Sequence, residues 1–222
     1  MKTFLILLPS IRDNIGFVFA RLHDSFTHKT DIYVQRDIMG HGSGHLQELN
    51  YAVERVVDAE RHDIVIKMDD DVLLNKGWQD DIVQAFEDID RLGVCGLDLA
   101  NTAEGVRYMT GGMPEGKMIP FTQHGKTRFR EISVGNVGGM IMATPASLMK
   151  DIGAIPIVGG NKYPFYADGY YNHQARKRGY RLGYCATNSE PIAIAHDDPQ
   201  SYVSAKDADT ERIRDEAMEL FK

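Results

Sequence analysis

Cysteine is nearly absent from these 222 residues: Cys95 and Cys185 are the only two, and both sit in apolar, strand-like runs. That placement argues against a disulfide framework or a cysteine zinc site and predicts free buried thiols in a reducing compartment. Long apolar runs are missing as well, and none approaches the roughly 20 residues of a membrane span. The opening MKTFLILLPS has one Lys and a short apolar run that meets Pro9 without a small-residue cleavage site. It therefore reads as a strand rather than a signal peptide. An excess of basic charge is lacking too: 25 Lys and Arg stand against 32 Asp and Glu, a formal charge of −7. This balance disfavours a broad nucleic-acid surface and leaves room only for local basic patches. With no internal repeat or low-complexity stretch, the chain is expected to be one cytoplasmic domain over residues 1–222.

What is present centres on the stretch HDIVIKMDDDVLLNKGW. Ile64, Val65 and Ile66 form an apolar run suited to a buried strand, and the strand ends in Asp69, Asp70 and Asp71. Unpaired buried carboxylates cost several kcal/mol each, roughly, so such an ending needs a reason. In extended backbone, residues i and i+2 point the same way. Asp69 and Asp71 can then face one site together while Asp70 turns aside. Two carboxylates with open positions suit a hard divalent cation, Mn²⁺ or Mg²⁺, shared with substrate phosphates. The plain alternative is an acidic turn capping the next helix; the surroundings weigh against it.

The pattern on either side alternates strand and helix. Strands are expected at Thr3–Leu8, Asp31–Gln35, Ile64–Ile66 and Gly93–Leu97. Helices are expected after Asp13, over Leu46–Val57 following the glycine-rich Gly40–Gly44 loop, and over Trp78–Ile89. This alternation predicts a mostly parallel central sheet with helices on both faces, an α/β fold. Ligands of such sheets bind beyond the carboxyl ends of the strands, where Arg12, Asp37, the aspartate triplet and Asp98 fall. Residues 101–126 read as an insertion with short strand candidates at Val106–Met109 and Met118–Phe121. Strands at Thr127–Val134, Gly139–Ala143, Arg181–Ala186 and Pro191–Ala195 follow, with helices from Pro145, over Ala167–Arg178 and in the tail from Ala205.

The motif order resembles that of glycosyltransferase family 2 and related enzymes of the GT-A fold, across nearly the whole chain. LLPSIRDN resembles the nucleotide-binding first strand and its turn, and GHGSGHLQELNYAV the helix entry before the metal strand. MDDDV resembles the DxD motif, with Asp69 and Asp71 in its positions. VGNVGGMIMATPASLMKDIGAIP resembles the donor-sugar segment, and YADGYYNHQARKRGYRLGY the segment where an acidic pair starts a helix. One position departs, since Ala167 stands where the family usually has Glu. The resemblance implies a GT-A domain with a nucleotide and metal half over 1–99, a donor-sugar and acceptor half over 100–198, and a C-terminal helix over 199–222.

It also implies roles. Asp71 and Asp69 would hold the metal, with Asp69 also near the nucleotide ribose and His196 of IAIAHDD as a third ligand. Asp168 is the candidate general base for an acceptor hydroxyl, which implies inversion at the anomeric carbon; its plain alternative is helix N-capping. Asp37 would accept from a uracil imide, Arg12 would contact base or phosphate, and Gly138 and Gly139 would let backbone approach the donor sugar. Arg176, Lys177, Arg178 and Arg181 read as a solvated helix end rather than a phosphate site. The tyrosines around Asp168 either stack on an acceptor or close the core. The expected activity is thus metal-dependent transfer from a UDP-sugar to a glycan, small molecule, protein or hydroxylated DNA base. Two alternatives stand beside it: an inactive nucleotide-binding scaffold, and a sugar-nucleotide-forming nucleotidyltransferase. The latter would normally carry a glycine-rich, basic loop after the first strand, and PSIRDN is not one.

Overall fold

Alternation along the first strand sets the layers. In β1 (Thr3–Ser10) Phe4, Ile6 and Leu8 point to one side and Leu5 and Leu7 to the other, all of them buried. A strand apolar on both faces must be covered on both faces. The computed structural model describes residues 1–10, 16–36, 45–70, 72–100, 107–108, 120–138, 140–160, 166–186, 193–194 and 200–222. Asp13, the Gly40–Gly44 loop and most of the 101–119 segment lie outside the described residues.

After β1 come α1 (Gly16–Asp24), β2 (Lys29–Arg36) and α2 (His45–Tyr51), which widens into a π-helical turn over Ala52–Val56. Then follow β3 (Ile64–Met68), β4 (Val72–Leu73), α3 (Trp78–Asp88), β5 (Leu92–Leu97), β6 (Leu99–Ala100) and β7 (Arg107–Tyr108). The second half contains β8 (Thr122–His124), β9 (Thr127–Glu131), β10 (Ile141–Pro145), α4 (Ala146–Ile152) and α5 (Ala167–Lys177). It closes with β11 (Arg181–Cys185), β12 (Ala193–Ile194) and α6 (Gln200–Glu219).

Eight strands form the central sheet in the order β2-β1-β3-β10-β5-β11-β9-β8. Strands β2, β1, β3, β5, β11 and β8 run one way, while β10 and β9 run against them. The sheet is thus mostly parallel in direction, as expected, but β10 lies between β3 and β5 instead of those two pairing. Local pattern reveals a strand and its faces, not its neighbour, and β10 is contributed from the far half of the chain. Of the strand expected at Met118–Phe121, Met118 and Ile119 lie outside the described residues and Pro120 and Phe121 are not in a strand; β8 begins at Thr122 and forms a hairpin with β9. Gly125 turns that hairpin at φ +52°, and a Cβ there would strike the Asp88 carboxylate, which holds the backbone N–H groups of Lys126 and Thr127.

One face carries Leu5, Leu7, Val65, Met142 and Leu182 under α2, α4, α5 and the Ile213–Ala217 turn of α6. The other carries Ile6, Ile66, Cys95 and Cys185 under α3, whose Trp78, Ile82 and Ala85 repeat at helical spacing, with Ile89 buried at its C-cap. Trp78 is fully buried and donates its ring N–H to Ser25 Oγ at 2.9 Å. Cys95 and Cys185 are free and buried, with Sγ atoms 3.5 Å apart on neighbouring strands. The hydrogen bond with Cys95, and then burial, push the Cys185 thiol well up, so it stays protonated. No helix among the described residues is long and apolar enough to cross a membrane.

Candidate active site

Strand direction gathers the site. The carboxyl ends of β1, β3, β5 and β11 share one edge, and antiparallel β10 starts there, with Ile141 opposite Met68. Helix α5 runs back to feed β11 through a tight turn, so its first turn lies at the same edge.

Asp69 and Asp70 point apart, as alternation predicts, and Asp71 lies outside the described residues. Asp70 is buried and turns toward β1, where Ser10 Oγ donates to its Oδ2 at 2.5 Å. Asp69 faces outward with a side chain 41% exposed, and its backbone N–H donates to Met140 O at 3.1 Å. That bond ties the strand end to the segment entering β10.

A residue that sequence reasoning passed over completes the arrangement. Lys67 lies two positions before Asp69, on the same side of β3 as Val65 and facing α5. Its ammonium, on a side chain only 9% exposed, sits 3.1 Å from Asp168 Oδ1 and 3.7 Å from Asp69 Oδ1. Asp168 Oδ1 accepts no hydrogen bond among the described residues, so the short contact is an ion pair held by charge rather than by aligned donor geometry. Asp168 stands in the first turn of α5, after the N-cap residue Tyr166, and not at the cap. The signal was in the sequence: a lysine inside a buried strand needs an anionic partner, and period 2 points it at the first triplet carboxylate.

Asn172, fully buried one turn along α5, fixes this helix start against the loop before β10. Its Nδ2 donates to Asp168 O at 2.6 Å and Val137 O at 3.0 Å, and its Oδ1 accepts from Val137 N at 2.9 Å. The next amide, Gly138 N–H, donates to Tyr184 Oη at 2.9 Å. Tyr184 reaches it by lying across Gly96, where a Cβ would fall 2.5 Å from the ring. Gly138 is therefore at the site, with its N–H engaged by Tyr184.

The basic cluster has structural partners. Arg176 donates to Ile132 O and Gly135 O, Arg178 to Asp151 and Arg181 to Glu131. Burial pushes the Arg176 guanidinium down from its ordinary value, and burial with the Lys177 and Arg176 charges pushes His173 down as well. Among the tyrosines near Asp168, Tyr166 donates to Pro156 O and Tyr171 to Gly153 O, so both close the core. Tyr163 and Phe165 lie outside the described residues.

Of the residues singled out from the sequence, the structure brings Asp69, Asp168 and Gly138 to one edge. Arg12, Asp37, Asp71, Gly139 and His196 lie outside the described residues. Antiparallel β12 pairs with β4, Ile194 opposite Val72, so the strand preceding His196 in sequence runs beside the strand following Asp71. Mn²⁺ and Mg²⁺ take oxygen ligands, and the exposed Asp69 carboxylate suits them. Among the described residues no group of three or more His, Cys, Asp or Glu could hold a metal ion, so any full ligand set draws on residues beyond them.

No protein-family model matches the chain, and no curated protein does. Solved structures do. The catalytic domain of Drosophila β1,4-galactosyltransferase 7, in a complex with xylobiose, superposes with a TM-score of 0.52 at 13% identity, covering 89% of this chain and 72% of that one. A197 from STIV superposes at 0.50 and 11% identity, over 89% and 96% respectively. The fold is of the GT-A type. Asp69 and Asp168 lie together at the carboxyl edge of the strands, the edge beyond which open α/β sheets in general bind ligands.

Proposed function

We propose that this chain is a glycosyltransferase that moves a sugar from a nucleoside diphosphate donor, best a UDP-sugar, to an acceptor hydroxyl with inversion. The observation that carries the reading is the pairing of Asp168 with Asp69, through Lys67, at the carboxyl edge of a GT-A-type sheet. Asp168 is the general base: its carboxylate takes the proton from the acceptor hydroxyl as that oxygen attacks the anomeric carbon. The side chain is 26% exposed, open enough to meet an acceptor and held from below by Lys67. Asp69 and Asp71, with His196, would hold Mn²⁺ or Mg²⁺, which when bound supplies positive charge to a departing diphosphate. The β4–β12 pairing supports grouping Asp71 with His196. Asp69 also faces the ribose, Asp37 and Arg12 take the base and phosphate side, and Gly138 and Gly139 line the donor sugar. Residues 1–99 form the nucleotide half, 100–198 the donor-sugar and acceptor half, and 199–222 the closing helix.

The test is a thermal-shift series with UDP, GDP, CMP and dTDP, each with Mn²⁺, Mg²⁺ or chelator. A ligand that binds only the folded state raises its midpoint by mass action. A shift that needs both UDP and Mn²⁺ is expected; the absence of a shift with every nucleotide would overturn the reading.

A further inference from the structure

The interior of a buried strand is a costly place for a lysine. Taking an ammonium out of water costs several kcal/mol, roughly, unless partners offset it. Lys67 is 7% exposed, with Val65 before it on the same face packed in the core and Ile66 and Met68 buried on the opposite face. Among the described residues its ammonium meets two carboxylates from distant parts of the chain, Asp168 at 3.1 Å and Asp69 at 3.7 Å. These are the residues to which glycosyl transfer gives different tasks, one on the acceptor side and one on the donor side. The third local carboxylate, Asp70, is held by Ser10 instead.

We propose that Lys67 is a positioning residue whose ammonium bridges Asp168 and Asp69 and sets the proton-accepting carboxylate against the donor-side one. The inference rests on the glycosyltransferase reading. Two carboxylates facing one substrate repel each other, and a cation fixed between them offsets that repulsion. The bridge also couples α5 to the end of β3. Asn172 anchors the α5 backbone but does not touch the Asp168 carboxylate, which makes Lys67 the contact that orients the charged end. Misplacing a reacting group by about 1 Å costs about 10²-fold in rate. Lysine suits the task as a compact point charge on a flexible stem, whereas the wider guanidinium of arginine fits a two-oxygen fork.

The experiment compares wild type with Lys67→Met, Lys67→Gln and Lys67→Arg. Donor hydrolysis, in which water is the acceptor and Asp168 takes its proton, is followed as UDP release from UDP-glucose, UDP-galactose and UDP-N-acetylglucosamine with Mn²⁺, and folding is checked by circular dichroism. Lys67→Met is expected to lower kcat by about tenfold or more while donor KM moves less than about threefold, and Lys67→Arg to recover part of the loss. Unchanged kcat in a folded Met or Gln variant would overturn the proposal, as would an Arg variant no better than Met. A thermodynamic cycle of Lys67→Met with Asp168→Ala, read as urea midpoints, decides the bridge apart from turnover. Strong non-additivity is expected, and additive midpoint changes would overturn the bridge. If wild type releases no UDP from any donor while the cycle is non-additive, the UDP-sugar reading falls and the bridge stands.

Discussion

Asp168 carries the sharpest consequence of the proposed chemistry. A general base contributes about 10²–10⁴-fold, and Asp168→Asn removes the proton acceptor while keeping the shape of the side chain. Turnover is expected to fall within that range with donor affinity preserved, as calorimetry with UDP and Mn²⁺ would record; near-normal turnover would remove Asp168 from the mechanism. Asp70 offers a contrasting test of stability alone. Its buried carboxylate accepts from Ser10 Oγ, so Ser10→Ala takes a donor from a group already out of water. Leaving such a group short of a partner costs about 1–3 kcal/mol, to be measured by urea unfolding. A variant as stable as wild type would mean that water replaces the hydroxyl at that position.

At the level of elements, the joint between α5 and the loop before β10 depends on one amide. Asn172→Leu keeps the volume but strands both the N–H and the C=O of Val137, groups already paired with Asn172 in the core. Buried backbone groups left unpaired cost about 1–3 kcal/mol each, so the variant is expected to lose several kcal/mol of stability or to fold poorly. Denaturant titration reads the loss; a change below about 1 kcal/mol would show that the joint is held elsewhere. The same joint marks where sequence reading ran out. The continuous apolar runs of β1 and β3 were legible because both faces of those strands are buried, and the 3.6 period of α3 because burial of one face imposes it. That Asp70 turns away from Asp69 followed from alternation, and the Ser10 bond agrees with it. By contrast, β10 entering between β3 and β5, and Asn172 meeting Val137, are long-range pairings that no local period encodes. Lys67 lay between these cases. Its position was plain, but its partner Asp168 comes from another element, and only the folded topology joins them.

For the whole molecule, the acidic surface sets the response to pH. Hydrogen bonds from His62, against a smaller opposing effect of burial and with help from Arg61, hold Asp31 below the ordinary carboxylate range. Glu131 is held down chiefly by its hydrogen bond to Arg181. Burial pushes Asp63 and Asp88 up, but donors outweigh it: Thr3 N–H and Lys2 for Asp63, and Thr127, Lys126 and Gln84 for Asp88. All four are lowered in the folded state, so folding favours their ionised forms. The stability they contribute is therefore complete above the unfolded carboxylate values of about 4 and is lost as pH falls through and below them. Urea midpoints are expected to hold between about pH 6 and 8 and to decline steadily from about pH 5 downward. Replacing Asp31 by Asn should flatten part of that decline, because the unfolded and folded chains then bind the same number of protons at this position. A decline of unchanged slope in Asp31→Asn would assign the acid sensitivity to the other three carboxylates. The alkaline side differs in kind: burial, with Tyr170 beside it, pushes the Tyr171 phenol up, so the folded state resists an ionisation that the unfolded chain undergoes near pH 10. Stability then falls above that pH, and Tyr171→Phe is expected to remove that part of the alkaline loss.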